Sequence, residues 1–278
     1  MFAILKIGGS VLCNKNIPYS IKWDNLERMA MEIREAMDYY LKREEKLKLI
    51  LIHGGGSFGH PVAKRYIKNG RFENMDSGFW EIQKAMRRFN TLVIDTLHEY
   101  GVPGVSIQPS SFVAFRGKEV HFDTYVIEGM VERELVPVIH GDIVISNKKD
   151  YKIFSGDHIL PYLSKKLKPD ISLHASDVDG VLDLEGRVIK CINSENIRKV
   201  VKCLKTSEKE DVTGGMYLKV MEAYRMGVKV LIFNGNKRGN IYRGLIGDYS
   251  IGTKNKLNWL KSKKSKIHHR PSDRFRHY

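Results

Sequence analysis

Five short segments combine lysine, glycine and acidic residues in patterns suited to handling phosphate. They are Lys6-Ile7-Gly8-Gly9-Ser10, His53-Gly54-Gly55-Gly56-Ser57-Phe58-Gly59-His60, Ser155-Gly156-Asp157, Ser176-Asp177-Val178-Asp179-Gly180 and Asp211-Val212-Thr213-Gly214-Gly215-Met216, the last followed by Lys219. Glycine lets backbone N–H groups approach phosphate oxygens closely, and a helix beginning just beyond adds its positive end. Lysines and carboxylates beside such loops suit phosphoryl transfer, in which catalysis is mostly positioning plus cancellation of charge on the moving group. A lone Gly-Gly after a strand is also common in tight turns. Five such turns in one chain call for a shared explanation. Neither glycine loop has the Gly-Lys-Ser/Thr ending of a Walker A motif, and neither has a Gly-x-Gly-x-x-Gly followed by the acidic residue of a dinucleotide site.

The elements around these segments are those of an α/β protein. Short apolar runs at residues 2–7, 47–52, 104–107, 136–139, 171–174 and 228–233 read as buried strands. Apolar residues at helical spacing, such as Leu26, Met29, Ile33, Met37 and Tyr40, predict an amphipathic helix over 23–40; Phe79, Ile82, Met86, Phe89, Val93 and Leu97 predict another over 79–97. The alternation predicts a three-layer αβα sandwich with a mostly parallel central sheet. Polar-punctuated stretches at 112–122 and 143–154 read as inserted β-hairpins. In such sheets ligands bind at the carboxyl ends of the strands, where the glycine segments fall.

Composition narrows the class. With 278 residues, 42% hydrophobic and 28% charged, the chain can bury a sizeable core and is neither disordered nor fibrous. No stretch reaches the roughly 18 apolar residues of a membrane span, and the apolar run at the amino end is too short for a secretion signal. Cys13, Cys191 and Cys203 are odd in number and lack metal-ligand spacing, which suits reduced thiols in a cytoplasm. The net charge of +15 is uneven: from Lys254 to Tyr278 six Lys and three Arg face one Asp, so +8 of it lies there. Residues 1–252 are therefore read as the catalytic domain and 253–278 as a basic, disordered tail. A solvated, solubilising tail is the reading adopted, with RNA or membrane contact as the alternative.

Lys6-x-Gly-Gly-Ser10, the glycine loop at 54–59, Asp177-x-Asp-Gly180 and Thr213-Gly-Gly-Met-x-x-Lys219, in this order, resemble the amino acid kinase superfamily over residues 2–252. His53-Gly-Gly-Gly-Ser-Phe-Gly-His-Pro61, Gln108-Pro-Ser-Ser111, His140-Gly-Asp142 and Asp211-Val-Thr-Gly-Gly-Met216 look like the archaeal isopentenyl phosphate kinases within it. The resemblance implies MgATP as phosphoryl donor, isopentenyl phosphate as acceptor in isoprenoid biosynthesis, and a cytoplasmic homodimer working without membrane or nucleic acid. It implies that Lys6 and Lys219 contact the ATP phosphates, that Gly8, Gly9, Ser10 and Gly56 cradle them, and that Asp177, Asp179 and Gly215 lie near the nucleotide. Asp157 would orient the two lysines. Gly54, Gly55, Gly59 and Gly156 would bind the acceptor phosphate through backbone N–H groups, Lys15 would reach the reaction centre, and no side chain is assigned to the metal. His60 would donate to the acceptor phosphate and so select a phosphorylated alcohol over a carboxylate.

Other residues have plainer readings beside functional ones. His53 and His140, at strand ends, read as structural; Asp142 reads either as a turn cap or as part of the site. The apolar face of the helix over 79–97 is core, with one end, marked by Met86, offered as wall for a five-carbon tail. Ser176 stands where many relatives have Thr. A related kinase with another acceptor, such as uridylate or acetylglutamate, is the nearest alternative function. A non-catalytic sensor or nucleic-acid-binding protein is the alternative from another class.

Overall fold

The computed structural model describes residues 1–14, 16–68, 71–72, 75–147, 150–207, 216, 219–221, 223 and 226–255. Along the chain run β1 (Phe2–Ile7), α1 (Gly9–Leu12), α2 (Trp23–Leu41), β2 (Lys48–His53), α3 (Gly56–Tyr66), β3 (Ile67–Lys68), β4 (Arg71–Phe72) and α4 (Met75–Glu99). There follow β5 (Gly104–Ile107), a 3-10 turn at Pro109–Ser111, β6 (Ala114–Arg116), β7 (Glu119–His121), α5 (Tyr125–Glu132), β8 (Val136–His140), β9 (Asp142–Ser146), β10 (Asp150–Phe154) and α6 (Gly156–Leu167). The chain then forms β11 (Ile171–Ser176), β12 (Cys191–Ile192), α7 (Ile197–Ser207), β13 (Val230–Asn234), α8 (Asn240–Leu245), a 3-10 turn at Tyr249–Ile251 and β14 (Gly252–Asn255).

Eight strands build the central sheet in the order β12-β14-β13-β11-β1-β2-β8-β5. The pairs from β13 through β5 are parallel, and β14 runs antiparallel to β13. Apolar residues alternate faces along β1: Ala3, Leu5 and Ile7 pack with Leu26, Met29 and Ile33 of α2 and Phe89 and Val93 of α4. Ile4 points the other way, joining Ile50 and Ile52 of β2 with Ile159, Leu160 and Leu163 of α6. Two cores on two sheet faces make the three layers, and each fully buried Leu or Ile contributes roughly 1.5–3 kcal/mol. The two hairpins join edge to edge through a parallel β6–β9 pairing, giving a four-stranded sheet β10-β9-β6-β7.

The strands and helices expected from periodicity are present, with β2, β8 and β13 ending one residue and β11 two residues beyond the expected ranges. The expected boundary falls at a strand. Residue 252, expected as the last of the domain, begins β14, whose Thr253 is buried and accepts a hydrogen bond from the Val181 N–H at 2.8 Å. Residues 256–278 of the expected tail lie outside the described residues. The three cysteines are free thiols, Cys13 buried.

Candidate active site

Because β1, β2, β8, β11 and β13 are parallel, their carboxyl ends line one edge of the sheet, and the glycine loops after β1 and β2 meet there. The loop after β1 and the loop after β2 abut. A side-chain carbon on Gly9 would lie 2.5 Å from the Gly56 nitrogen, and one on Gly54 would lie 3.0 Å from the Gly9 nitrogen. No residue but glycine permits that approach, and Gly56 has a φ of +48°. Gly8 donates to Ala175 O at 2.8 Å, and Gly54 to Ile7 O at 3.1 Å, so both loops are pinned to neighbouring strands.

Lys6, near the end of β1, is 4% exposed, and its Nζ lies 2.6 Å from Asp157 Oδ1. Asp157 sits in the first turn of α6, which Ser155 and His158 open by reciprocal capping, Ser155 N–H donating to His158 Nδ1 at 3.3 Å. Burial pushes the Asp157 carboxyl up, but the Lys6 and Lys219 ammonium groups outweigh it and hold the carboxyl at about 2. Lys219 is thus brought to the same carboxylate from a segment that is helical at positions 216, 219–221 and 223. Gly156 covers the Lys6 stem: a side-chain carbon there would lie 3.3 Å from Lys6 Cε.

On the other side of this pair α3 begins at Gly56. His60, exposed in its second turn, places its ring over Gly55, with Cδ2 3.3 Å from where a side-chain carbon on Gly55 would stand. Pro61 has no N–H to offer the Ser57 carbonyl, which instead accepts from Tyr19 N–H at 3.1 Å; Ser57 Oγ donates to Ser20 O at 2.8 Å. The segment between α1 and α2 is thereby tied to α3. Met86 of α4 packs beneath, its sulfur 2.7 Å from where a side-chain carbon on Gly59 would be. Lys15, Gly215 and the Asp211–Gly214 part of the last motif lie outside the described residues.

The nucleotide-side expectations have a different geometry. Asp177 is exposed at the end of β11, while Asp179 accepts from Lys237 Nζ at 2.7 Å and Asn234 Nδ2 at 2.8 Å, bonds that hold its carboxyl below the usual range. It therefore braces the loop after β11 against the loop after β13. That second loop is fixed from α2: Arg28 donates to Gly235 O at 2.6 Å, and buried Glu32 accepts from Gly239, Ile241 and Tyr242 N–H at 2.7, 2.9 and 3.2 Å. Ser10, in α1, carries a backbone oxygen that accepts from Lys22 Nζ at 2.8 Å.

His53 and His140 are structural. His53 bonds through Nε2 to Asn90 Oδ1 at 3.0 Å and His140 through Nδ1 to Gly141 O at 3.0 Å; burial lowers both rings to about 4, so both are neutral. Asp142 is buried and accepts from Ser110 N–H at 3.0 Å and Ile143 N–H at 2.9 Å, so it fixes the Pro109–Ser111 turn. Gly141 was not foreseen as a site residue: its backbone lies between Gly156 and Gly55, 3.5 and 3.8 Å from their nitrogens when measured from a would-be side-chain carbon. The His140-Gly-Asp142 turn at a strand end was the signal for it. Lys237 and Asn234 carried no such signal.

Glycine loops gathered at the carboxyl edge of a parallel sheet, around a buried lysine held by a carboxylate, define an α/β phosphate-binding protein of the phosphoryl-transfer kind. The chain belongs to the amino acid kinase family, whose family model matches residues 1–234. It is 56% identical over 252 residues to the isopentenyl phosphate kinase of Methanocaldococcus jannaschii, a match covering 89% of this chain and 96% of that protein. Identity to the isopentenyl phosphate kinase of Methanothermobacter thermautotrophicus is 35% over 271 residues, covering 90% and 97%. A crystal structure described as isopentenyl phosphate kinase superposes with a TM-score of 0.72 at 30% identity, covering 92% of this chain and all of that one.

Proposed function

We propose that this chain transfers the terminal phosphoryl group of ATP to isopentenyl phosphate, forming isopentenyl diphosphate for isoprenoid synthesis. The observation that carries this is the Lys6–Asp157 pair with Lys219 acting on the same carboxylate, set between two abutting glycine loops. Two cations share one anion, so the site keeps net positive charge where charge grows on the phosphoryl group during transfer. Asp157, held ionised, orients the lysines and is no base. Gly8, Gly9, Ser10 and Gly56 bind the transferring group. Gly54, Gly55, Gly59 and Gly156 hold the acceptor's phosphate, His60 donates to it from above Gly55, and Met86 offers apolar wall for the tail. Lys15 and Gly215 keep their proposed places at the reaction centre and the nucleotide, Asp177 lies toward the nucleotide, and Asp179 serves it through Lys237.

Mg²⁺ would arrive on the nucleotide's phosphates and neutralise their charge. Among the described residues no three His, Cys, Asp or Glu side chains gather as a cation site, and phosphate oxygens commonly supply much of this ion's coordination. Among the described residues no helix is long and apolar enough to cross a membrane. A cytoplasmic homodimer completes the proposal on the strength of the family resemblance.

A coupled assay with MgATP and isopentenyl phosphate, dimethylallyl phosphate, uridylate or acetylglutamate tests the reading. Isopentenyl phosphate is expected to exceed the last two by at least about 100-fold in kcat/KM. Equal or better turnover of uridylate or acetylglutamate overturns it.

A further inference from the structure

Lys6 lies in a row of register partners across four strands: Ile52 on β2, Lys6 on β1, His174 on β11 and Ile232 on β13. The flanking Leu5, Ile7, Leu173 and Ala175 belong to the core on one face of the sheet, whereas Ile52 and Ile232 belong to the core on the other. Alternation therefore puts Lys6 and His174 side by side on the face that α6 covers. His174 is 3% exposed, and among the described residues neither ring nitrogen has a hydrogen-bond partner.

A buried polar ring left unpaired destabilises a fold, and a Leu or Phe at the same place would not carry that cost. Such exceptions concentrate where function requires them. The charged groups acting on the ring are Lys6 from β1, Asp157 from α6 and Lys219 from the helical segment beyond Met216. Burial first, then the Lys6 charge, lowers the ring to about 3, so it is neutral at ordinary pH. A neutral imidazole has one lone pair and one N–H. Asp157 takes only one of the three N–H donors of Lys6. A lone pair beside that ammonium can steer it without cancelling the charge it presents to phosphate, which a second carboxylate would do.

We infer that His174 is a positioning residue for phosphoryl transfer, steering the Lys6 ammonium from the floor of the site. The inference rests on the phosphoryl-transfer reading above and on no particular acceptor. Its sequence signal is weak, since His174 ends an apolar run and its neighbour Lys6 is 168 residues away.

The test compares His174→Phe and His174→Gln with the wild type, using whichever acceptor the wild type turns over, so that a wrong acceptor assignment and a wrong role for His174 give different results. Phe fills the ring's place without its nitrogens; its variant should melt at or above the wild-type temperature. Its kcat should nonetheless fall about 10- to 100-fold, with KM for each substrate changed less than about 3-fold, because misplaced catalytic groups cost rate rather than binding. Gln keeps a donor and an acceptor and should recover much of the lost kcat. Wild-type kcat in the Phe variant, a Gln variant as impaired as Phe, or a Phe variant that melts well below the wild type or fails to fold overturns the inference and makes His174 a residue of the fold.

Discussion

Lys6 Nζ and Asp157 Oδ1 lie 2.6 Å apart although 151 positions separate them in the chain, and Lys219 acts on the same carboxylate. The carboxylate thus fixes Lys6 on its strand and feels the charge of Lys219 on a helix, and the variants below probe that arrangement.

On the proposed reading, removing either cation removes stabilisation of charge that grows only in the transition state. Lys6→Met and Lys219→Met should each lower kcat by at least about 100-fold. The Lys219 variant, altered at a partly exposed position, should melt close to the wild type. Steady-state kinetics with calorimetry decides; near-wild-type kcat in either variant removes that lysine from the transfer step.

Asp157 also sets an acid limit on stability. Its carboxyl sits at about 2 in the fold against an ordinary 3.8. A depressed folded value means that the stabilisation is complete above about pH 4 and is lost as pH falls through about 2. Melting temperatures from pH 5 down to pH 2 should fall more steeply for the wild type than for Asp157→Asn. Parallel curves would show that the ion pair contributes nothing net to the fold.

His60 is exposed above Gly55 at the start of α3, where the helix end and backbone N–H groups already favour a phosphate. His60→Ala should cut turnover of isopentenyl phosphate by about 100-fold or more, in the range of a lost proton donor. Gln or Asn, each with an N–H, should retain more. An Ala variant equal to wild type in kcat and KM makes the ring structural.

The β14 strand gives a contrast between two truncations. A chain ending at Asn255 should melt and turn over like the full chain. One ending at Ile251 loses β14, including the Thr253 bond to Val181 N–H and the Asn255 bonds to Val230 N–H at 2.7 Å and Val228 O at 3.0 Å. At about 1 kcal/mol for each such bond, its melting temperature should drop by many degrees. Identical melting of the two would show that β14 does not hold the sheet edge.

Much of this molecule is legible from local pattern. Alternation in residues 2–7 and helical spacing from Leu26 to Tyr40 specify strand and helix because each depends on side chains only a few positions apart. The glycine segments announce themselves for the same reason, since close backbone approach is a property of the residue. The Lys6 and Lys219 motifs carry the expectation of a phosphate site for the same local reason. The strand at Gly252–Asn255 had no signal because it has no apolar run; it exists through pairing with β12 and β13.

Composition and local order alone thus determined the α/β class and the glycine loops. Tertiary structure alone decided who stands beside whom. Strand order places β11 next to β1 and so His174 next to Lys6; loop packing turns Asp179 toward Lys237; and the seating of Asp142 under Ser110 makes it a structural anchor. The physical reason is that register and strand order follow from how whole faces pack across the sheet, so contacts between residues more than a hundred positions apart have no counterpart in the spacing along the chain.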